Sequence, residues 1–461
     1  MRLPIELMPA GETVPGDEWD ILAVMSSFWL PVYRLAASAL APLALQRLAT
    51  PAGRRGERRG DVPEGSGELW LHAASVGEFN AVAGLLERLL DNRPGLHIVV
   101  STTTQTAAQA FEHRFGNQSG AEGRIRHVFA PLDTTAAVRR WLKRTAPSAL
   151  VLVETEIWPV MLDQCRRRSI PVAIVNARLS ERAMRRYRCF AGLFRQALAE
   201  VDPVLCQDDE SRERFEELGI AHDRVAVTGN LKFDLASPAD PTDEVLSWQR
   251  LWSGRPVWVA ASTHAGEERI VADAHRRLLR EHADALLLVV PRHPERGEAA
   301  FDELKQAGLT ACMVRDWPDR AACGDGGRPG RIQAIVVDRM GVLTGLYRLV
   351  DACMVCGSLV EGIGGHNLIE PALTGKPILT GIHTAEQQAA ADGLEAAHGL
   401  VRVQSAIDLA ERLAKIFEDP EFARQLAENA SAFVESQRGA LHRTIEVLEP
   451  WLDERANVPR D

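Results

Sequence analysis

The stretch "LWLHAASVGEFNA" (69–81) sets one acid, Glu78, on the turn Ser75-Val76-Gly77, just past an apolar run with strand character. A carboxylate where a strand ends and a helix opens is suited to general acid–base chemistry. The same spot equally suits an acid that only faces the positive end of the helix dipole. Polar residues recur at comparable places: Thr103 in "STTTQT" (101–106), Glu154 and Glu156 in "ETEIWP" (154–159), Arg178 in "NARLSER" (176–182) and Lys232 in "TGNLKFD" (228–234). Farther along stand Ser262 and Thr263 in "STHAGEE" (262–268), Arg292 and His293 in "PRHPER" (291–296), and Met340 and Gly341 in "DRMG" (338–341). Ser358, Gly365, His366, Asn367 and Glu370 complete the series in "GSLVEGIGGHNLIEPALTGKP" (357–377). One polar strand end means little, whereas nine in succession describe a site.

The chemistry they suggest is recognition of a ligand that carries phosphate and ribose hydroxyls. Glycines at 362, 364 and 365 let a phosphate approach exposed amide donors, and Asn367 is a suitable N-cap for the helix-like "LIEPAL". Glu370 could close a capping box there or accept hydrogen bonds from ribose hydroxyls. Arg292 can grip a phosphate or carboxylate with two bonds, and Lys232 adds a second cation; each is as readily a surface charge. His72, His264, His293 and His366 are far apart in sequence and read as hydrogen-bonding residues. No H-E-x-x-H, cysteine cluster or spaced D-x-D appears, and Asp208-Asp209-Glu210 reads as acids opening a helix. A site without metal is the expectation. Electrostatic stabilisation then falls to a helix N-terminus and side-chain cations, and proton transfer to a carboxylate.

These residues need a scaffold that lines up strand ends. Apolar runs "LWLHAA", "HIVVST" (97–102), "ALVLVE" (149–154), "PVAIVN" (171–176) and "PVLCQ" (203–207) alternate with helical patterns such as "AVAGLLERLLDN" and "TAAVRRWLKRTA". After the proline- and acid-rich "LASPADPTDE" (235–244) the alternation restarts with "PVWVAAST" (256–263), "ALLLVVPRHP" (285–294), "AIVVD" (334–338), "ACMVCGS" (352–358) and "PILTG" (377–381). Near-continuous apolar strands with helical crossovers predict parallel sheets covered on both faces. The fold class is α/β, with two Rossmann-like doubly wound domains and ligands at the carboxyl ends of the strands, facing a cleft between the halves. The glycine-rich "CGDGGRPGR" (323–331) reads as a surface loop.

Composition narrows the functions. A net charge of −10 argues against nucleic acid as a partner, because phosphate-tracking surfaces are basic. Seven scattered cysteines favour reduced thiols, and Cys353 and Cys356 read as core residues of a strand. Residues 21–49 form an apolar segment divided by Arg34 and interrupted by Pro31 and Pro42. Arg47, Arg54, Arg55, Arg58 and Arg59 follow it. Its acidic leading flank disfavours a secretory signal. The arginines, with Trp29 and Tyr33 near the other end, favour attachment to an anionic membrane surface, as an interfacial helix or a single span; a helical hairpin packed on the protein is the alternative.

Taken together, "HAASVGE", "ETEIWP", "NARLS", "TGNLKFD", "STHAGEE", "VPRHPER", "GSLV…GGHN..EPA" and "GKP" resemble, in order and over nearly the whole chain, the 3-deoxy-D-manno-octulosonic acid (Kdo) transferases of lipopolysaccharide assembly. "GRRGERRG" resembles that family's arginine motif. The resemblance implies a GT-B fold with four parts: a membrane-anchoring segment (1–60), an acceptor domain (61–237), a CMP-Kdo domain (238–435) and a final helix (436–461) that crosses back to the first domain. It implies inverting, metal-independent transfer of Kdo from CMP-Kdo, the donor substrate, to a lipid A precursor, with no cofactor, at the cytoplasmic side of the inner membrane. Glu78 matches the general base, and Arg292, Met340, Gly341, Asn367 and Glu370 match donor contacts. Ser75, Gly77, Thr103, Glu154, Glu156, Arg178 and Lys232 then belong to the acceptor side. Ser262, Thr263, His293, Ser358, Gly365 and His366 belong to the donor side. Three places differ from the family pattern: one extra residue around Gly362-Ile363, Val342 where an acid is usual, and residues 383–392. A different GT-B nucleotide-sugar enzyme, such as an epimerase, and a membrane-attached module without catalysis are the other readings.

Overall fold

The structure is a computed structural model and describes residues 17–456 except 49, 66, 117–122, 235–239, 253 and 317–331. The loop 323–331 and part of the linker 235–244 therefore lie outside the described residues. The chain forms two compact units, residues 1–235 with 438–461, and residues 236–437.

The first unit is built on a parallel sheet of β1 (Leu69–His72), β2 (Ile98–Thr102), β3 (Ile125–Phe129), β4 (Ala149–Val153), β5 (Val172–Ala177), β6 (Val201–Cys206) and β7 (Val225–Val227). Its order is β3-β2-β1-β4-β5-β6-β7. The order reverses beside β1, the place where a doubly wound sheet opens at its carboxyl edge. Successive residues of β1 point to opposite faces. Trp70 stacks on Trp141 of the helix Thr135–Thr145, while Leu69 and Leu71 pack with Leu86 and Leu89 on the other face. Each such leucine stabilises the unit by roughly 2 kcal/mol through burial. That second face is finished by the helix Ala440–Ala456, which contributes Ile445, Leu448, Trp451 and Leu452.

The second unit repeats the plan with β8 (Val257–Thr263), β9 (Leu286–Pro291), β10 (Ala311–Met313), β11 (Ala334–Val336), β12 (Ala352–Val355), β13 (Ile378–Gly381) and β14 (Val401–Val403), in the order β10-β11-β9-β8-β12-β13-β14. All its pairings are parallel. Cys353 and Cys356 are buried free thiols there, pushed up in pKa by burial. Val342, the position usually acidic in the family pattern, packs into this unit's core.

The N-terminal segment differs from its sequence reading. One helix, α1 (Asp17–Arg47), runs through both Pro31 and Pro42. Both prolines lie on its exposed side, where water can satisfy the carbonyls that lose a backbone donor. Its inner side packs on the helices Ala191–Leu198 and Pro159–Arg166, with Leu30 buried and Tyr33 against the core. Its outer side exposes Val32, Leu35, Leu40 and Leu43. Among the described residues no helix is long and apolar enough to cross a membrane.

The arginine cluster also divides. Arg47, Arg55 and Arg59 are exposed, but Arg58 is buried. Its guanidinium donates to the carbonyls of Thr103 (2.5 Å) and Ala130 (3.1 Å) and lies over the Phe129 ring. Burial lowers its pKa to about 10. Gly60, with φ of +85°, permits this turn to press on the Thr135–Thr145 helix, where a Cβ would stand 2.3 Å from the Ala137 carbonyl oxygen.

Candidate active site

In the first unit Glu78 sits at the third position of the helix α2 (Val76–Asn92), half-buried. The Ser75 hydroxyl accepts from the Glu78 N–H at 3.3 Å, and Glu78 Oε2 accepts from the N–H of Ala74 (2.5 Å) and Ser75 (3.3 Å). This is a complete capping box, so the helix-terminus reading of Glu78 is fulfilled. It does not exhaust the residue. Both amides bind Oε2, and Oε1 is left with a proton-accepting lone pair. Burial, then the charges of Glu156 and Glu154, push the carboxyl pKa up to about 7 against the lowering pull of the Ala74 bond and His72. A carboxylate with that pKa is half-ionised near neutral pH, where a general base works best.

The neighbours come from other strand ends. Thr103 and Thr104 donate their N–H groups to the Ala74 carbonyl, so the Arg58 bond to Thr103 buttresses the Glu78 turn from behind. Glu154 Oε1 accepts from Lys232 Nζ at 2.9 Å and from Asn176 Nδ2 at 3.5 Å. Glu154 and Asn176 take positive φ angles of 58° and 51°. A left-handed non-glycine residue costs about 1 kcal/mol, and strain of this kind concentrates at functional sites. Glu156 accepts from Trp158 Nε1 at 2.7 Å and lies 3.4 Å from His72 Nε2. Its burial is outweighed by bonding to His72 and Trp158, and its pKa falls. Trp70 Nε1 donates to Ser101 Oγ, and His72 Nδ1 lies 2.9 Å from that hydroxyl and 3.1 Å from the Ser101 carbonyl oxygen, which holds the ring in place.

The first unit therefore brings Ser75, Glu78, Glu154, Glu156 and Lys232 into one electrostatic neighbourhood, with Gly77 exposed beside them. Arg178 is half-buried and its carbonyl accepts from Thr155 Oγ1; its guanidinium bonds to none of these acids.

In the second unit the residue that organises the strand ends is Glu267, quoted in "STHAGEE" but not singled out. It is fully buried. Its carboxylate accepts from the N–H of Gly357 (2.8 Å), Ser358 (3.0 Å), Leu359 (2.9 Å) and His264 (2.9 Å). Four amides satisfy one buried charge, and the loop after β12 is thereby fixed to the start of the helix Glu267–Leu278. Gly357, with φ of +76°, lies so close to His366 that a Cβ would stand 2.7 Å from its ring. His366 and His264 stack in parallel with Nε2 atoms 2.8 Å apart. Burial, then His264, Arg292 and His293, lowers the His366 pKa to about 4. Burial lowers the His264 pKa as well, and the short Nε2 pair holds one N–H between the two rings.

Arg292 and His293 are exposed directly after β9, with the Arg292 N–H tied to the Thr263 carbonyl. Ser262 has a φ of 58° at a register shift in β8. Two expected donor contacts point elsewhere. The Ser358 hydroxyl is buried and occupied by Val355, Thr380 and Gly381, and Thr263 is buried against Glu268. Gly365 has a φ of +85° and donates to the Gly357 carbonyl. Asn367 Oδ1 accepts from the Ile369 N–H, and its Nδ2 donates to Glu370 Oε1 at 3.0 Å. Glu370, raised in pKa by burial, thus binds the Asn367 side chain instead of closing a backbone capping box. Met340 is 73% exposed beside Gly341. In the longer loop around Gly362-Ile363, Gly362 has a φ of +98° and open surroundings. Among the described residues no group of three or more His, Cys, Asp or Glu could hold a metal ion.

Residues 52–235 match the family model described as 3-deoxy-D-manno-octulosonic-acid transferase (kdotransferase). The chain is 33% identical to a 3-deoxy-D-manno-octulosonic acid transferase of Haemophilus influenzae over 90% of its length and 94% of that protein's. A second such transferase, from Bordetella pertussis, is 33% identical over 91% of this chain and 99% of that protein. Among solved structures, UDP-GlcNAc 2-epimerase from Neisseria meningitidis bound to UDP-GlcNAc aligns with a TM-score of 0.55, covering 83% of this chain and all (100%) of that one at 14% identity. That likeness speaks for the GT-B fold alone. With two parallel seven-stranded sheets carrying its polar strand ends, this chain belongs to the 3-deoxy-D-manno-octulosonic acid transferase family and is a glycosyltransferase.

Proposed function

We propose that the enzyme moves Kdo from CMP-Kdo to a hydroxyl of a lipid A precursor, lipid IVA, with inversion at the anomeric carbon, and that Glu78 is the general base. One observation carries this reading: a half-buried carboxyl on a strand-end turn, with a pKa pushed up to about 7 and one oxygen left uncommitted. Oε1 of Glu78 takes the proton of the acceptor hydroxyl. That hydroxyl oxygen forms the new bond to the anomeric carbon, and the CMP phosphate oxygen departs from the other face with the electron pair of the broken bond. Amides holding Oε2 lower its basicity and direct the proton to Oε1.

The second unit supplies the donor side. Arg292 and His293 stand free after β9 to neutralise the leaving phosphate, and no metal or cofactor is required. Glu370 and Asn367 form a bonded pair suited to ribose hydroxyls, and the Glu267 carboxylate keeps their loop in shape.

The acceptor is embedded in a bilayer, and α1 suits that location. Its exposed face is apolar, with Leu35 and Leu40 at 74% and 60% exposure, while Arg47, Arg55 and Arg59 remain free for anionic headgroups. We place the enzyme on the cytoplasmic side of the inner membrane as an interfacial protein. Incubation with CMP-Kdo and a tetraacyl lipid A precursor, followed by mass analysis of the lipid, tests the reading. One or more added Kdo masses support it, and an unchanged lipid overturns it.

A further inference from the structure

A cavity of about 470 Å³ opens on the first unit, lined by Arg34, Thr135, Arg139, Gln164, Arg167 and Arg168. It contains none of the residues assigned to catalysis. Its volume lies within the roughly 300–1,000 Å³ of small-molecule sites. Three segments meet there: the middle of α1, the first turns of the helix Thr135–Thr145, and the end of the helix Pro159–Arg166.

Its charge is lopsided. Four guanidinium groups line it and no acid does. The carboxylate next to it is Asp163, almost fully buried, which accepts from Arg34 and from Arg167 at 2.8 Å, and from Arg166 outside the lining at 3.3 Å. The Arg168 guanidinium donates to Gln164, at its carbonyl and side-chain oxygens. Among the described residues the exposed Arg139 has no acidic partner, and the buried Nε of Arg34 has no hydrogen-bond partner. Four guanidinium groups thus share one neighbouring carboxylate, which leaves a surplus of positive charge and an unused donor on Arg34. Planar guanidinium groups match phosphate oxygens with paired bonds, so phosphate is the ligand chemistry that fits.

The position of Arg34 indicates the source. It stands at the border between the packed side of α1 and the outer side that exposes Val32, Leu35, Leu40 and Leu43. A group bound by Arg34 would therefore have its apolar tail beside that stripe. We propose that this cavity binds the phosphomonoester headgroup of a membrane lipid, apart from the Glu78 site, and holds the first unit in a fixed orientation on the bilayer. The proposal rests on the reading of α1 as lying at the membrane.

The test compares flotation of the full-length enzyme on vesicles of phosphatidylcholine doped with phosphatidic acid or with phosphatidylserine, at matched surface potential. The wild type should prefer phosphatidic acid by about tenfold, the scale of a few well-placed guanidinium contacts. Arg139→Gln combined with Arg168→Gln should erase the preference. A control pair elsewhere on the unit, Arg88→Gln with Arg224→Gln, should keep it. Equal binding of the wild type to both lipids, or a preference that survives in the double variant, overturns the proposal. Inorganic phosphate that raises the wild-type Tm but not the variant's, without any vesicle preference, assigns the cavity to free phosphate and overturns the lipid source. Kdo transfer to a detergent-dispersed acceptor is measured alongside. It should stay within about twofold in the double variant, since none of these arginines touches the reacting groups; a larger loss overturns the separation of the two sites. Its absence in the wild type would defeat the transfer reading and leave the cavity assignment standing.

Discussion

Lys232 Nζ lies 2.9 Å from Glu154 Oε1, and this ion pair governs how much of the Glu154 charge reaches Glu78. Glu154 is among the charges that raise the Glu78 pKa, and Lys232 offsets it. Lys232→Met leaves Glu154 without its cation and should raise the Glu78 pKa further. The acid limb of the kcat/KM profile then moves to higher pH, and activity lost at pH 7 returns at about pH 8 to 9. A profile that loses height without moving would contradict this coupling.

Removing the proposed base has a different signature. Glu78→Gln keeps the amide-accepting oxygen of the capping box but cannot take a proton. Transfer should fall by about 10²–10⁴-fold, the usual contribution of general base catalysis. CMP binding and the far-ultraviolet circular dichroism spectrum should not change. Near-normal turnover would remove Glu78 from the mechanism.

The same substitution makes a stability prediction with a definite sign. The folded pKa of Glu78 is raised from 4.5 to about 7. Its contribution is therefore fully present below pH 4.5 and lost as pH rises through about 7. That rise corresponds to roughly 3 kcal/mol as an upper bound. Glu78→Gln carries no such loss. It should match the wild type at pH 4 and exceed it in Tm by several degrees at pH 8. Equal Tm differences at both pH values would show that the carboxyl is not desolvated.

Glu267→Gln tests the loop of the second unit. The amide retains one acceptor oxygen but removes the charge that four N–H groups share and adds a donor facing them. Destabilisation of about 2–4 kcal/mol should follow. It should appear as a lower Tm and weakened CMP binding in the full chain. Unchanged CMP affinity would mean that the loop holds its form without the carboxylate.

The outer face of α1 is exposed, so Leu35→Glu with Leu40→Glu should leave stability within about 0.5 kcal/mol. Sedimentation with anionic vesicles should drop by at least about tenfold, because two charges replace two inserting side chains. Undiminished sedimentation would separate α1 from membrane attachment.

Much of the architecture was legible because interior strands of a parallel sheet are covered on both faces and read as apolar runs. All ten runs picked from the sequence fall on strands. The four not picked, β3, β7, β10 and β14, are the outermost strands of the two sheets. Three of them are only three residues long, and β3 carries Arg126 and His127 among its apolar residues. An outermost strand has less apolar surface to hide, so its signal is weak. The Glu78 turn was legible for a local reason, since a capping box spans four residues. Arg58, Glu267 and the His72–Ser101 bond were not, because each depends on contacts from 29 to 92 positions away. Ser358 and Thr263 misled for a related cause. Polar residues at strand ends alternate in direction, and these two point inward.

The helix Ala440–Ala456 fills the face of the first sheet around Leu69, Leu86 and Leu89. In the chain this helix follows every residue of the second unit, so a ribosome makes it after them, and until it docks this face of the first sheet stays uncovered. Loss of this helix would leave that apolar face uncovered, so the first unit depends on residues that the chain supplies only beyond the second.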